Sequence, residues 1–270
     1  VAALGLALGM TAVGAGISQA QDAPAACSVD DTKPGEVATA YFRLTQAGAA
    51  TSKEAQMKSL RDAVMQAEKN IDRGQNLPGR SYIMAKAYVL MLSDTLVTDP
   101  NTTRGAVGLT TNPAGPIDLV VAVDSLLDIV EQAHPDCVGE TEAWRQNNVW
   151  LDILNRAIQA IDANQLDSAE FYARRTQLLH ENNPYGYQLL ATIANRRGQG
   201  DVEREMWTKT IEKAGTDTSL AEVRDQARFY LGNLYATQAE AATDPAEKSR
   251  LAKEAVGVYR EYLKTKEPED

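Results

Sequence analysis

The sequence predicts an all-α protein of the helical-hairpin repeat kind, with about ten helices paired into five antiparallel hairpins. Three observations predict it. Beyond residue 35, apolar residues recur at spacings of three and four almost throughout, the period of a helix with one buried face. Alanine is abundant, and β-branched runs are few and short, which favours helix over strand. A 34-residue shift also relates residues 150–183 to residues 184–217. The composition is that of a globular chain: 270 residues, 44% hydrophobic and 24% charged.

Taken in order, the chain opens on a stretch with a different character. Residues 1–17 are apolar and uncharged, and Ser18-Gln19-Ala20 follows as a small-x-small site. This is the pattern of a secretory signal peptide over residues 1–20, cleaved before Gln21. The alternatives are a retained membrane anchor and lipidation of Cys27, although Pro24 stands where a lipobox wants a Leu-like residue. No other segment is apolar enough to span a bilayer. Residues 21–34 read as an extended leader. The two cysteines, Cys27 and Cys137, form in an exported protein either one disulfide, pinning that leader to the body, or two free thiols; the even count favours the bridge.

The helical domain spans residues 35–270. Val37, Tyr41 and Leu44 mark a first helix that ends at Gly48. Thr51 with Glu54 suggests a capping box for a second helix, whose stripe is Met57, Leu60, Val64, Ala67 and Ile71. Gly74 and Pro78 break the chain before a third helix bearing Tyr82, Ala85, Val89 and Leu92. Residues 94–116 have no clean period and read as a long loop. Further helices are predicted over 117–134, 141–163, 167–180, 185–197, 202–214, 220–241 and 245–265, with no convincing strand anywhere.

Across the 34-residue shift, Ile153 falls on Tyr187, Ala157 on Ala191, Ala160 on Ala194, Asn164 on Gly198 and Thr176 on Thr210. Leu231-Gly232-x-x-Tyr235, Met84-Ala85-x-x-Tyr88 and Tyr187-x-x-Leu190-Ala191 share one first-helix pattern, and Trp207 and Tyr259 supply aromatics in second helices. These residues resemble the tetratricopeptide repeat. The match is best over 150–183, 184–217 and 225–265. It departs at Glu203, where the family has Ala, and at the step from Ala191 to Gly232, which is 41 residues and so seven beyond 34.

The resemblance implies a stacked array whose first helices line a concave face that binds a peptide or protein. Carried over by position, it points to Tyr82, Lys86 and Val89 in the second unit, and to Leu151, Leu154 and Ile158 in the third. In the fourth it points to Tyr185, Gln188, Thr192, Asn195 and Arg196, and in the fifth to Gln226, Phe229 and Asn233. The paired Lys and Asn of a carboxylate clamp are not reproduced. For Leu151, Leu154 and Ile158, burial against a neighbouring unit or the leader is an equal reading.

Chemistry finds little support. His134 and His180 each end a predicted helix, where an imidazolium suits the negative dipole end. His-Glu-x-x-His, Gly-x-Ser-x-Gly, Cys-x-x-Cys and the phosphate-binding glycine motifs are absent. No metal or cofactor is therefore expected, and no catalysis. The net charge of −10 argues against a general nucleic-acid binder, which needs basic patches. The function expected is a non-catalytic binding scaffold of the bacterial cell envelope, periplasmic or secreted, with a protein or peptide partner. The alternative is a structural subunit of an envelope or surface assembly.

Overall fold

The computed structural model describes residues 27, 29, 36–69, 71–73, 76–97, 99–146 and 148–265. Residues 1–20, expected to be a signal peptide, most of residues 21–34 and the charged tail 267–270 lie outside the described residues.

Eleven α-helices are present among the described residues: α1 Glu36–Gly48, α2 Lys53–Glu68, α3 Leu77–Ser93, α4 Leu119–Ala133, α5 Val138–Arg145, α6 Asn148–Asp162, α7 Leu166–Leu179, α8 Pro184–Arg196, α9 Gly200–Ala214, α10 Ala221–Ala241 and α11 Pro245–Lys264. Consecutive helices pack in pairs: α1 with α2, α3 with α4, α6 with α7, α8 with α9, and α10 with α11. The second helix of one pair also packs on the first helix of the next, as α7 does on α8 and α9 on α10. The all-α class and the adjacent pairing therefore hold.

The count exceeds ten because the segment expected as one helix over 141–163 is two. The α5 helix ends at Arg145, and α6 begins at Asn148. Arg145 turns away to α4, where it pairs with Asp124, with Asp128 at 2.6 Å and with Glu131 at 3.3 Å. Thr141 adds a hydroxyl donated to Glu131 at 2.6 Å, so α5 follows α4 rather than extending α6.

The 94–116 segment also differs from expectation, because it contains strand. Asn101–Thr103 (β1) pairs antiparallel with Pro116–Asp118 (β2), Thr102 opposite Ile117. Threonine and isoleucine suit a pleated surface, but three residues give too short a period to read from sequence. The loop tip is tied down by Glu68 at the end of α2, which is 8% exposed. Its carboxylate accepts from the Thr110 amide at 2.5 Å, the Thr110 hydroxyl at 2.6 Å and the Thr111 amide at 3.2 Å. Burial pushes the Glu68 carboxyl up, but these hydrogen bonds together outweigh it and hold it below its ordinary value.

Helix ends follow local chemistry. The cap of α2 is Ser52, not Thr51: its side chain accepts from the Ala55 amide at 3.2 Å. Asp118 caps α4 through the amides of Val120 and Val121. Asn183 does the same for α8, and Asp244 for α11. Arg80, only 2% exposed, donates to the last carbonyls of α2, Ala67 at 3.0 Å and Lys69. A buried guanidinium is tolerated there because those carbonyls have no helical partner of their own.

The 34-residue recurrence is geometric as well as sequential. Asn164 and Gly198 both take left-handed backbone, at φ 56° and 70°. The residues after them, Gln165 and Gln199, share φ and ψ within a degree (−90°, 68° and −91°, 67°). Their amides return to Ala160 and Ala194 at 2.8 and 2.9 Å, closing the same terminal motif in both pairs. Small residues sit where the helices cross. Ala157 of α6 and Ala169 and Ala173 of α7 are fully buried in one cluster. Ala191 packs with Trp207, Ala227 and Leu231 in another. At Gly232 an added Cβ would lie 2.7 Å from the Tyr259 ring.

Enlarging those crossings should separate the pairs. Ala191→Leu and Gly232→Leu are each expected to lower unfolding free energy by about 1–3 kcal/mol. Glu212→Leu on an exposed position should stay within about 0.5 kcal/mol. Urea unfolding followed by circular dichroism measures all three, and equal losses would refute the crossing geometry.

Candidate functional site

The first helices α6, α8 and α10 lie beside one another, and two side-chain contacts span them. Gln188 of α8 donates its amide to Gln226 of α10 at 3.1 Å. Arg196 at the end of α8 donates to the Ile161 carbonyl at the end of α6. Phe229 stands one turn from Gln226 on the same helix face and is 41% exposed. Its ring lies 5.6 Å from Tyr230 and 5.7 Å from Tyr262 of α11, and Tyr230 in turn stacks on Trp207 of α9 at 5.1 Å and 16°. Four aromatic rings thus run in a row from α9 across α10 to α11. Tyr230 was not singled out in the sequence; its place beside Phe229 on an outward helix face was the available signal.

The other expected positions have specific partners. Tyr185 is half-buried, its ring 6.3 Å from Trp150. Thr192 donates to the Gln188 carbonyl of its own helix at 3.0 Å. Asn195 reaches across its own pair to Glu203 at 3.0 Å, and Asn233 accepts from the Tyr259 hydroxyl at 2.5 Å. Leu154 and Ile158 pack against the core, whereas Leu151 is 48% exposed. In α3, Val89 is buried.

Tyr82 and Lys86 belong to a different place. Tyr82 is buried in a small cluster with Val29, Val130, Cys137 and the disulfide partner Cys27. Its hydroxyl donates to Glu140. Lys86 lies 3.9 Å above the Tyr82 ring and 5.1 Å from that of Trp144, and pairs with Glu140 at 3.0 Å. Cys27 and Cys137 are joined, across 110 residues of chain. Cys137 sits in the 3-10 turn Pro135–Cys137 between α4 and α5. Val29 burial contributes at most about 1.5–3 kcal/mol, while ordering backbone costs about 1–2 kcal/mol per residue. The covalent bond and the apolar burial of Val29 both hold this contact.

No protein-family model, curated protein or solved structure matches the chain.

Two titratable groups bear on what the surface can do. Glu203 occupies the position where a small residue was expected, and is 5% exposed. Burial pushes its carboxyl up, and donors from the Trp207 indole at 3.2 Å and from Asn195 offset this only in part. His180 caps the end of α7, but burial lowers its pKa, with Glu142 opposing. Burial beside Trp150, 6.0 Å away, outweighs the pull of Glu142, so the charged cap expected from sequence is disfavoured. Among the described residues, no group of three or more His, Cys, Asp or Glu could hold a metal ion.

The Glu203 environment gives a pH dependence of known sign. A carboxyl raised in the fold contributes stability below its unfolded value of 4.5 and loses it as pH rises through the folded value. Glu203→Gln removes that loss. Its unfolding midpoint should therefore gain on the parent's as pH rises from 4.5 to 7.5; parallel midpoints across that range would contradict the burial argument.

Proposed function

We propose that the chain is a non-catalytic protein-binding scaffold of the bacterial cell envelope, built of tetratricopeptide-like hairpins, that holds a protein or peptide partner against the face of α6, α8 and α10. The observation that carries this reading is Phe229, exposed among Tyr230 and Tyr262 beside the Gln188–Gln226 amide pair. Aromatic rings in contact on a surface are the residues that most often dominate binding energy, and neighbouring side-chain amides offer both a donor and an acceptor to a polypeptide main chain. The shared turn geometry at Asn164 and Gly198 supports the repeat reading. The Cys27–Cys137 bridge supports export, since disulfides persist in oxidising compartments. Among the described residues no helix is long and apolar enough to cross a membrane.

A second reading, a structural subunit of an envelope assembly, is favoured by apolar side chains on the first and last helices. Phe42 of α1 is 58% exposed, and Val256 and Leu263 of α11 are 48% and 56% exposed. Such residues would be covered if chains stacked end to end.

The test targets the exposed Phe229 and its neighbour Gln226, which meets α8 through a single amide hydrogen bond. Arg196 binds α8 to α6, so its removal would confuse binding with packing. Gln226→Ala with Phe229→Ala should leave helix content unchanged and reduce capture of the partner from the cell's own envelope fraction at least tenfold. Undiminished capture would move the assembly reading ahead, and sedimentation velocity would then show a concentration-dependent oligomer that Phe42→Ser dissolves.

A further inference from the structure

Glu203 lies one helical turn before Trp207 on α9, and both residues are buried, at 5% and 3% exposed. An indole nitrogen only donates, so a buried one needs an acceptor within reach. Glu203 supplies it: its Oε1 accepts from the Trp207 indole at 3.2 Å and from the Asn195 amide of α8 at 3.0 Å. Two consequences reach the surface. The Trp207 ring, held at its nitrogen, is the platform on which Tyr230 of α10 stacks, and Tyr230 in turn meets Phe229. The Asn195 amide, at a position that the repeat pattern assigns to a binding face, is engaged within its own helix pair.

We propose that Glu203 is the positioning residue of the aromatic face: it fixes the plane of Trp207, and through that ring the placement of Tyr230 and Phe229, while it holds the Asn195 amide back from the face. Trp207 packs against Ala191, Ala227 and Leu231, apolar side chains that bury the ring but make no directional bond to it. The hydrogen bond at the indole nitrogen is directional and selects one orientation. Tyr230 stacks at 16°, and a stacked pair keeps its geometry only while both rings keep their planes. A small residue at 203, as the repeat resemblance implies, would leave the indole without a partner and the ring to settle by packing alone. Both donors meet the same oxygen, so a side-chain amide, whose oxygen is a like acceptor, can take the same part. The face itself is taken from the binding reading, whereas the positioning is a property of the free protein.

The experiment is nuclear magnetic resonance on the isotope-labelled full chain, with no partner added. In the parent, ring protons of Trp207 and Tyr230 should give mutual Overhauser cross-peaks, and the Trp207 indole proton should exchange slowly with solvent. Glu203→Gln should keep both signatures. Glu203→Met, which retains volume, and Glu203→Ala, which restores the small residue of the repeat pattern, should lose the cross-peaks and speed indole exchange about tenfold. The Tyr230 and Phe229 resonances should shift in these two variants while far-ultraviolet circular dichroism is unchanged. Cross-peaks that survive in the Met and Ala variants, or vanish in the Gln variant, overturn the proposal. So does loss of helix signal in both the Met and Ala variants, because Glu203 would then hold the pair together rather than orient a ring. Undiminished capture by the Gln226→Ala, Phe229→Ala protein would count against the binding reading alone, since these spectra need no partner.

Discussion

Close approach of two helix backbones within a pair is the constraint on which the remaining structure depends. A hairpin of amphipathic helices cannot bury its apolar face unless the crossing point is small on at least one side. The chain meets this with alanines between α6 and α7, with Ala191 against Trp207 between α8 and α9, and with Gly232 against Tyr259 between α10 and α11. Once the crossings are set, the reversal must be tight. Left-handed residues at 164 and 198 provide it at the same point in two successive pairs. Caps, cluster boundaries and the side-by-side placement of α6, α8 and α10 follow from that geometry.

Buried polar groups do the work that apolar packing leaves undone at the irregular places. Arg80 takes up the end of α2, Glu68 anchors the 94–116 segment, and Arg145 holds α5 to α4 against three carboxylates. The cost of desolvating Asp124 among these carboxylates is visible in its carboxyl, which burial raises despite Arg145. Each group sits where the helical ladder ends or the period fails, so the backbone there has donors or acceptors that need a partner. Glu203 differs: it lies buried inside a regular pair, at a position where the repeat resemblance implied a small residue. Its partners, Trp207 and Asn195, only partly compensate its burial.

That arrangement bears directly on the candidate binding face. A first-helix position predicts which way a side chain leaves its helix, but a long polar side chain can reach back. Asn195 does so toward Glu203, and Asn233 toward Tyr259. Phe229 has no polar group to satisfy and remains at the surface with its aromatic neighbours. The proposed binding face is thus narrower than position alone implies, centred on Gln188, Gln226, Phe229 and Tyr230, while Tyr82 and Lys86 form a separate cluster beside the disulfide.

What the sequence by itself determined is local or nearly so. The apolar period set the helices to within a few residues. The recurrence of Asn164 at Gly198 set the repeated turn, and an even pair of cysteines favoured the bridge that the structure contains. These depend on spacing along the chain, where one residue's choice constrains its near neighbours. The break between α5 and α6, the short strand pair, the burial of Tyr82 and the engagement of Asn195, Arg196 and Asn233 were decided only by tertiary structure. Each rests on a partner distant in sequence, as Arg145 does on α4 and Arg196 on Ile161. A side chain's period says which face it occupies, but whether that face meets solvent, a carbonyl or another ring depends on the helix packed beside it.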